Sequence, residues 1–405
     1  MGQDKEKDDV SYLEVLKNKQ FALYSLADIS TVFGTTCSSM AFILLAFGDM
    51  GSILNVGYYQ IVTMVPTLTL ALFIGVYVDR WGKKRSYIIS SLLSAVIILI
   101  PIFYRDLISI IAVAFVLSIL SKFRHASHQG ILPSILDKKE LTTANSIERM
   151  ATTVPGVIAP TFAVLIIGWY GFWILFVIDS ITYIIDLVSL YYIPIEENLS
   201  EKTTKGLKGV INDIKSSINH VKERPVLLFI MLSSTFFLLL ADGFGLFALE
   251  ISHLTFGSEL PYGYYRSAGY LGAFIGGFLT GKYLQNIDYK YIVFTTFILG
   301  AVSFFGLSLL TLILSFIVFG MIRGISSALI GVAIDTSIQT YSDEEFLGRI
   351  SSLELVMLRG TDVIAIALAV ILIRTIGPIT AMLYMGSMLF VAGFVVLYLS
   401  KRLMD

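Results

Sequence analysis

Cysteine is all but missing from this chain: Cys37 is the only one among 405 residues. It lies inside an apolar run, so no intramolecular disulfide can form, and a cysteine-built metal cluster is not expected. Charge is scarce too. Asp, Glu, Lys and Arg make up 15% of the residues, against about 25% in a soluble globular protein. Meanwhile 56% are hydrophobic and mean hydropathy is +0.80. That leaves too little polar surface to coat a water-soluble particle. Neither sign of charge dominates: 29 Lys and Arg against 30 Asp and Glu give a formal net charge of -1. Without a basic field, nucleic acid is not expected as a partner. No Gly-x-x-x-x-Gly-Lys-Ser/Thr loop occurs, so ATP is not the evident energy source, and His-Glu-x-x-His and Gly-x-Ser-x-Gly are absent as well. His125 and His128 stand one turn apart but have no further ligand cluster to join them. The chain is therefore expected not to be an enzyme, and to need no cofactor and no metal.

What the chain has is long apolar runs. About 20 helical residues cross a hydrocarbon core about 30 Å thick, because in lipid each backbone amide must bond within its own helix. Twelve such runs are present. The first six are Phe21 to Ala46, Leu54 to Val78, Ser86 to Phe103, Leu107 to Leu132, Ala144 to Ile167 and Phe172 to Ile193. After a polar interval come Val226 to Leu249, Tyr262 to Tyr283, Tyr291 to Leu310, Leu312 to Ile334, Gly348 to Ile373 and Ile379 to Leu399. Met1 to Gln20 is rich in Asp, Glu and Lys and lacks the layout of a secretory signal, so the first run is expected to remain as the first span. Short cytoplasmic loops retain Lys and Arg. With the N-terminus inside, nearly all the loop bases fall on the cytoplasmic side, and the outer turns hold Arg105 and Arg374. The expectation is a multi-pass protein of the cell membrane with both termini cytoplasmic.

The one long polar stretch, Pro194 to Pro225, divides the runs six and six. The resulting domains are a cytoplasmic segment 1–20, a bundle 21–193, a linker 194–225, a bundle 226–399 and a cytoplasmic end 400–405. Within the linker Leu207, Val210, Ile211, Ile214, Ile218 and Val221 recur at helical spacing, which predicts an amphipathic helix. The halves also repeat. Asp137-Lys-Lys-Glu-Leu141 followed by Ser146-Ile147-Glu148 returns as Asp343-Glu-Glu-Phe-Leu347 followed by Ser352-Leu353-Glu354, 206 residues on (343 − 137). Parallel six-helix repeats place a binding site between the halves near the midplane.

Between the second and third runs stands Gly75-Val-Tyr-Val-Asp79-Arg80-Trp-Gly82-Lys83-Lys84-Arg85. It resembles the G-x-x-x-D-R-x-G-R/K-R/K signature of the major facilitator superfamily. A basic loop alone would explain Lys83, Lys84 and Arg85, but not an acid and two glycines at this spacing. Leu13 to Ser30, Phe123 to Ile135 with Pro133, Leu141-Thr-Thr-Ala-Asn145-Ser146 and Phe176-Val-Ile-Asp179-Ser-Ile-Thr-Tyr are similar to the drug antiporter branch that holds macrolide efflux proteins and the enterobactin exporter. The resemblance is strongest in the first half. It implies an all-α membrane protein with twelve transmembrane helices in two pseudo-symmetric six-helix bundles, the major facilitator fold. It further implies alternating access and export of an amphipathic solute against proton entry. Two departures stand out: Asp28 replaces a neutral polar residue, and Pro155-Gly-Val-Ile-Ala159-Pro160-Thr-Phe-Ala163 has Ala where the antiporter pattern has Gly. A lipid or lysolipid flippase and a small-solute proton symporter are the alternative readings, with an intramembrane enzyme a remote third.

An ionisable side chain deep in a span costs roughly 2.5 to 3.5 kcal/mol on insertion scales, so it faces the bundle interior and has a partner or a task. Asp28, Asp242 and Asp362 are the expected proton-coupling carboxylates. Arg124, Glu148, Arg323 and Arg359 are expected as counter-charges or solute-binding groups, since the superfamily fold lines its cavity with spans 1, 4, 7 and 10, flanked by 2, 5, 8 and 11. The alternative is a static buried ion pair that only specifies packing. Asp179 and Asp186 share a face of the sixth span, where interhelical hydrogen bonding is the expected role. Gly75, Asp79, Arg80, Gly82, Lys83, Lys84 and Arg85 are the expected conformational latch, with Arg349 as the partner of Asp79. The expected partners are a small-molecule substrate, protons and membrane lipid, around a monomer.

Overall fold

The computed structural model describes residues 11–48, 52–137, 139–194, 216–283, 288–343 and 346–404. Helices follow one another in the order α1 (Tyr12–Lys17), α2 (Lys19–Phe47), α3 (Ile53–Trp81), α4 (Lys83–Ile97), α5 (Leu107–Ile135), α6 (Leu141–Tyr170) and α7 (Trp173–Tyr191). A short α8 (216–222) leads into the second half. There α9 (Pro225–Ala241), α10 (Phe244–Phe256), α11 (Leu260–Tyr283), α12 (Tyr289–Leu309), α13 (Ile313–Tyr341), α14 (Leu347–Ile376) and α15 (Pro378–Met404) follow. No strand occurs among the described residues. Most of the amphipathic linker helix expected from Leu207 to Val221 falls outside the described residues.

Ten helices among the described residues, counting α9 and α10 together, are long and apolar enough to cross a membrane. Helices α3 and α11 occupy the remaining two of the expected runs. The surface is inverted relative to a soluble protein. Leu26, Ile108, Val154 and Tyr191 are exposed, whereas Asp179, Asp186, Arg323 and Asp362 are buried. In lipid an outward apolar side chain costs nothing, and the polar groups gather inside.

Local chemistry sets the helix ends. The Asn18 side chain accepts from the backbone N–H groups of Gln20 and Phe21 and so caps α2. Its amide also donates to the Ile135 carbonyl at 3.2 Å, tying the start of α2 to the end of α5. At the opposite end of the molecule the Asp106 carboxylate caps α5, accepting from the Ser109 hydroxyl at 2.6 Å and the Ser109 N–H at 3.0 Å. Those bonds hold it below the usual carboxylate range. Below, the end where α2 begins is the near end and the end where it stops is the far end.

One expected span is broken. The run Val226 to Leu249 is two helices, α9 and α10, separated by Asp242 and Gly243. Glycine is a poor helix former, by about 1 kcal/mol relative to alanine. Here it also lets the chain pass close to α14, where a Cβ on Gly243 would collide with Ala369. Discontinuous helices of this kind place polar groups at mid-membrane depth.

The internal repeat extends to the helix boundaries. Helices α4, α5 and α6 begin 206 residues before α12, α13 and α14 (289 − 83, 313 − 107, 347 − 141). Helices α6 and α14 end in register as well, each on a glycine of positive φ, Gly171 at 82° and Gly377 at 80°. Packing repeats with them. In the first half α2 packs on α6 and α7, α3 on α5, and α4 on α5 and α7. In the second half α9 packs on α14 and α15, α11 on α13, and α12 on α13 and α15. Between the halves α6 meets α11 and α3 meets α14.

The tightest of these pairs, α11 with α13, is built on small residues. A Cβ on Gly324 would run into the Gly269 carbonyl, and one on Gly272 into the Met321 backbone. Backbone contact of this kind replaces the hydrophobic drive that lipid removes.

Candidate functional site

A cavity of about 490 Å³ lies between the halves. Ser39 and Ile43 of α2 and Tyr59, Gln60, Thr63 and Met64 of α3 line one side. The rest belongs to the second half, from Ala241 through Leu246 to α11, α13 and α14. Direct contacts between the halves close its far end. The Thr161 N–H donates to the Ser267 hydroxyl at 3.2 Å, and the two hydroxyls share a hydrogen bond at 2.8 Å. Phe47, the last residue of α2, stands edge-on to the His253 ring, 5.0 Å between centroids.

Two acid–arginine pairs sit on the cavity wall. Arg323 of α13 donates to Asp242 at 2.9 Å, and Arg359 of α14 donates to Asp362, one turn further along, at 2.9 Å. Arg323 also bonds Ser327 and has its guanidinium over the Phe237 ring at 5.3 Å. Its Nε is buried without a hydrogen-bond partner among the described residues. The Asp242 and Asp362 carboxyls line the same cavity, within electrostatic reach of each other. The break between α9 and α10 brings Asp242 to this place. The helical spacing of residues 359 and 362 puts the other pair on one face.

A second cluster lies within the first half, toward the near end. The Tyr24 hydroxyl meets His128 Nδ1 at 2.6 Å, and His128 Nε2 meets Glu148 at 3.2 Å. Glu148 as a carboxylate only accepts, so Nε2 donates; in a neutral ring Nδ1 then accepts from Tyr24. Asp28 is half-buried and within electrostatic reach of His128, Glu148 and Arg124. Arg124 places its guanidinium 4.6 Å from the centre of the Tyr183 ring. Asp179 accepts from Ser38 at 2.5 Å, and Asp186 accepts from Tyr87 at 3.0 Å and Ser91 at 3.2 Å, joining α7 to α2 and α4.

The sequence-derived residues thus fall into two groups. Asp242, Asp362, Arg323 and Arg359 meet at the cavity, while Asp28, Arg124 and Glu148 gather apart from it with His128. Of the latch, Gly75 and Asp79 lie outside the described side chains. Gly82, at φ 92°, makes the turn between α3 and α4; Lys83 reaches the Gly130 carbonyl at 3.4 Å and Lys84 the Ile193 carbonyl at 2.6 Å. Arg80 and Arg85 are exposed. Arg349 has its guanidinium over the Phe346 ring at 5.4 Å.

Sequence reasoning passed over three charged groups. Arg266 of α11 lines the cavity among Tyr59, Tyr262, Tyr265 and Tyr270. Toward the near end Arg149 of α6 and Asp335 of α13 lie within electrostatic reach across the halves. Depth was the available signal for Arg266, which stands six residues inside a 24-residue helix.

A polytopic helical protein with a charged cavity between repeated halves belongs to the class of membrane transporters. The model of the Major Facilitator Superfamily matches residues 25–358, and the chain belongs to that superfamily. An uncharacterized MFS-type transporter of Bacillus subtilis (strain 168), YkuC, is 22% identical over 230 residues, 53% of this chain and 52% of that protein. The match thus spans about half the length of this curated relative. Among solved structures, a mutant of the nucleoside transporter NupG superposes with a TM-score of 0.75 at 11% identity, over 96% of this chain and 100% of that one. A POT family transporter in complex with 5-aminolevulinic acid gives 0.73 at 13% identity, over 95% and 96%. A bacterial homologue of the iron transporter ferroportin in an inward-facing state gives 0.70 at 12%, over 94% and 98%. At these identities the likeness is one of fold, and with the superfamily it points to transport rather than catalysis.

Proposed function

We propose that this chain is a proton-coupled secondary transporter that exports an amphipathic small molecule across the cell membrane by alternating access. The observation that carries the reading is the facing pair of acid–arginine contacts, Asp242 with Arg323 and Asp362 with Arg359, on a cavity between two repeated halves. A proton arriving at the carboxyl pair discharges an acid and loosens its arginine. A solute that engages an arginine loosens its acid in turn. The two ligands therefore favour each other's binding, the linkage that lets a proton gradient act on the solute; this contact pair by itself suits the small-solute symport alternative as well, and the export direction rests on the first-half resemblance. One unit of pH gradient supplies about 1.4 kcal/mol per proton, enough for a tenfold solute gradient at one proton per solute.

The repeated register supports two six-helix bundles, 21–193 and 226–399, joined by the linker 194–225. The basic loops support a cytoplasmic near end, with segments 1–20 and 400–405 on that side. On that reading the contacts between the halves close the side away from the cytoplasm. Export is the direction supported by the first-half resemblance to macrolide efflux proteins and the enterobactin exporter. Asp28, Arg124, His128 and Glu148 form a second proton station nearer the cytoplasm. Asp79 latches against Arg349 when the near end closes. The protein works as a monomer in lipid, with solute and protons as its ligands.

The test is a solute screen on the purified full chain in proteoliposomes, with and without an imposed pH gradient. Gradient-driven movement is expected in the unmodified chain. It is expected to vanish in Asp242→Asn, Asp362→Asn and Asp28→Asn with solute binding retained. Full gradient-driven activity in the first two variants removes proton coupling from the cavity; in the third it removes Asp28 from the mechanism.

A further inference from the structure

The charges on the cavity wall do not balance. Three arginines, Arg266, Arg323 and Arg359, face two acids, Asp242 and Asp362. Each acid already has its arginine at 2.9 Å. Arg266 has no carboxylate partner among the described residues, and its Nε is buried without a hydrogen-bond acceptor. Its surroundings are aromatic: the guanidinium is 5.9 Å from the centre of the Tyr270 ring and within electrostatic reach of Tyr59, Tyr262 and Tyr265. Tyr262 and Tyr265 stack on each other, and Tyr265 stacks on Phe244 at the start of α10.

A lone cation inside a span is costly, and ring faces offset only part of that cost. The planar guanidinium is shaped to bind a carboxylate or phosphate through two parallel hydrogen bonds. We propose that Arg266 anchors an oxyanion, a carboxylate or a phosphate, carried by the amphipathic solute, while the neighbouring tyrosines receive its flat or apolar part. This rests on the reading of the cavity as the solute site. It adds a sign to the substrate class: the cavity selects anionic solutes over cations of the same shape. The two acid–arginine pairs line the same cavity as the bound anion.

Three probes with one fluorophore and different charge test this: dansylglycine as the anion, dansylglycinamide as the neutral form and dansylethylenediamine as the cation. Binding to the detergent-purified full chain is read by fluorescence and by thermal stabilisation. Dansylglycine is expected to bind at least about tenfold more tightly than the other two, the scale of one charge-assisted contact. Arg266→Gln is expected to abolish that preference, and Arg266→Lys, which keeps the charge but not the fork, to retain part of it. If Arg266→Gln does not fold, the weakened preference in Arg266→Lys answers the question. No preference among the probes, or a preference unchanged in both variants, overturns the proposal. Displacement of dansylglycine by lysophosphatidylglycerol but not by succinate assigns the anion site to lipid phosphate, and the reverse to a soluble carboxylate. Anion-selective binding with no gradient-driven movement would leave this site standing and remove the transport reading. Gradient-driven movement without charge preference would do the opposite.

Discussion

The far-end closure can be weakened by a single hydroxyl. Ser267 accepts from the Thr161 N–H at 3.2 Å and shares a 2.8 Å hydrogen bond with the Thr161 hydroxyl, which makes it a polar link between α6 and α11. A net contribution of about 0.5 to 1.5 kcal/mol per hydrogen bond puts the link at about 1 to 2 kcal/mol, allowing for some rehydration from the cavity. Ser267→Ala should therefore shift the balance between far-end-closed and far-end-open states by a factor of about 5 to 30. A far-end-open minority of about 1% would rise to about 5 to 23%. Spin labels at Trp169→Cys and Leu254→Cys, both exposed near the far end, would report it in a Cys37→Ser background. The expected result is growth of the longer-distance population. Thr161→Ala, which keeps the backbone N–H bond to Ser267, should give part of the effect, and the double variant should add little to Ser267→Ala, because that change already removes both bonds. An unchanged distance distribution in well-folded Ser267→Ala would refute the reasoning.

Two further outcomes follow from the packing and from the signature loop. Gly324→Leu should cost about 1 to 3 kcal/mol or more by driving α11 from α13, seen as a lower melting temperature in detergent, because the added atoms meet the Gly269 backbone. A melting temperature equal to that of the unmodified chain would mean the two helices do not rely on that contact. Asp79→Asn should move the population toward the cytoplasm-open state by removing a carboxylate from the positive start of α14, worth about 0.3 to 1 kcal/mol. Spin labels at the near ends of α3 and α14 check this, and an unchanged distribution in folded protein excludes the latch.

The helical frame was legible because lipid makes it so: each long apolar run has no alternative to a helix, and boundary glycines such as Gly171 and Gly377 stop it. The Asp137 and Asp343 segments already carried the 206-residue offset that governs the helix starts. The break at Asp242 and Gly243 was not legible, because one glycine in an apolar run reads as span interior and only the passage close to α14 explains it. Arg266 stands six residues inside α11, and only the packing of α11 shows that Tyr262 and Tyr265 beside it form a cavity wall. The assignment of Asp242 to Arg323 links residues 81 apart and depends on how α9, α10 and α13 pack. The individual charges could be flagged by depth, but which acid met which arginine could not.

The turns that join helices at the far end are short. Gly171 and Phe172 connect α6 to α7, Gly257 to Glu259 connect α10 to α11, and Gly377 alone connects α14 to α15. A turn of one to three residues held by a glycine in the left-handed region has little room for an inserted loop. Among the described residues, these three junctions on the face that points away from the cytoplasm on the proposed topology are thus nearly all helix ends. They offer proteases almost no extended chain to cleave and antibodies few protruding epitopes. Among the described residues, epitope tags or imaging fiducials grafted there have most room in the 98–106 connection between α4 and α5.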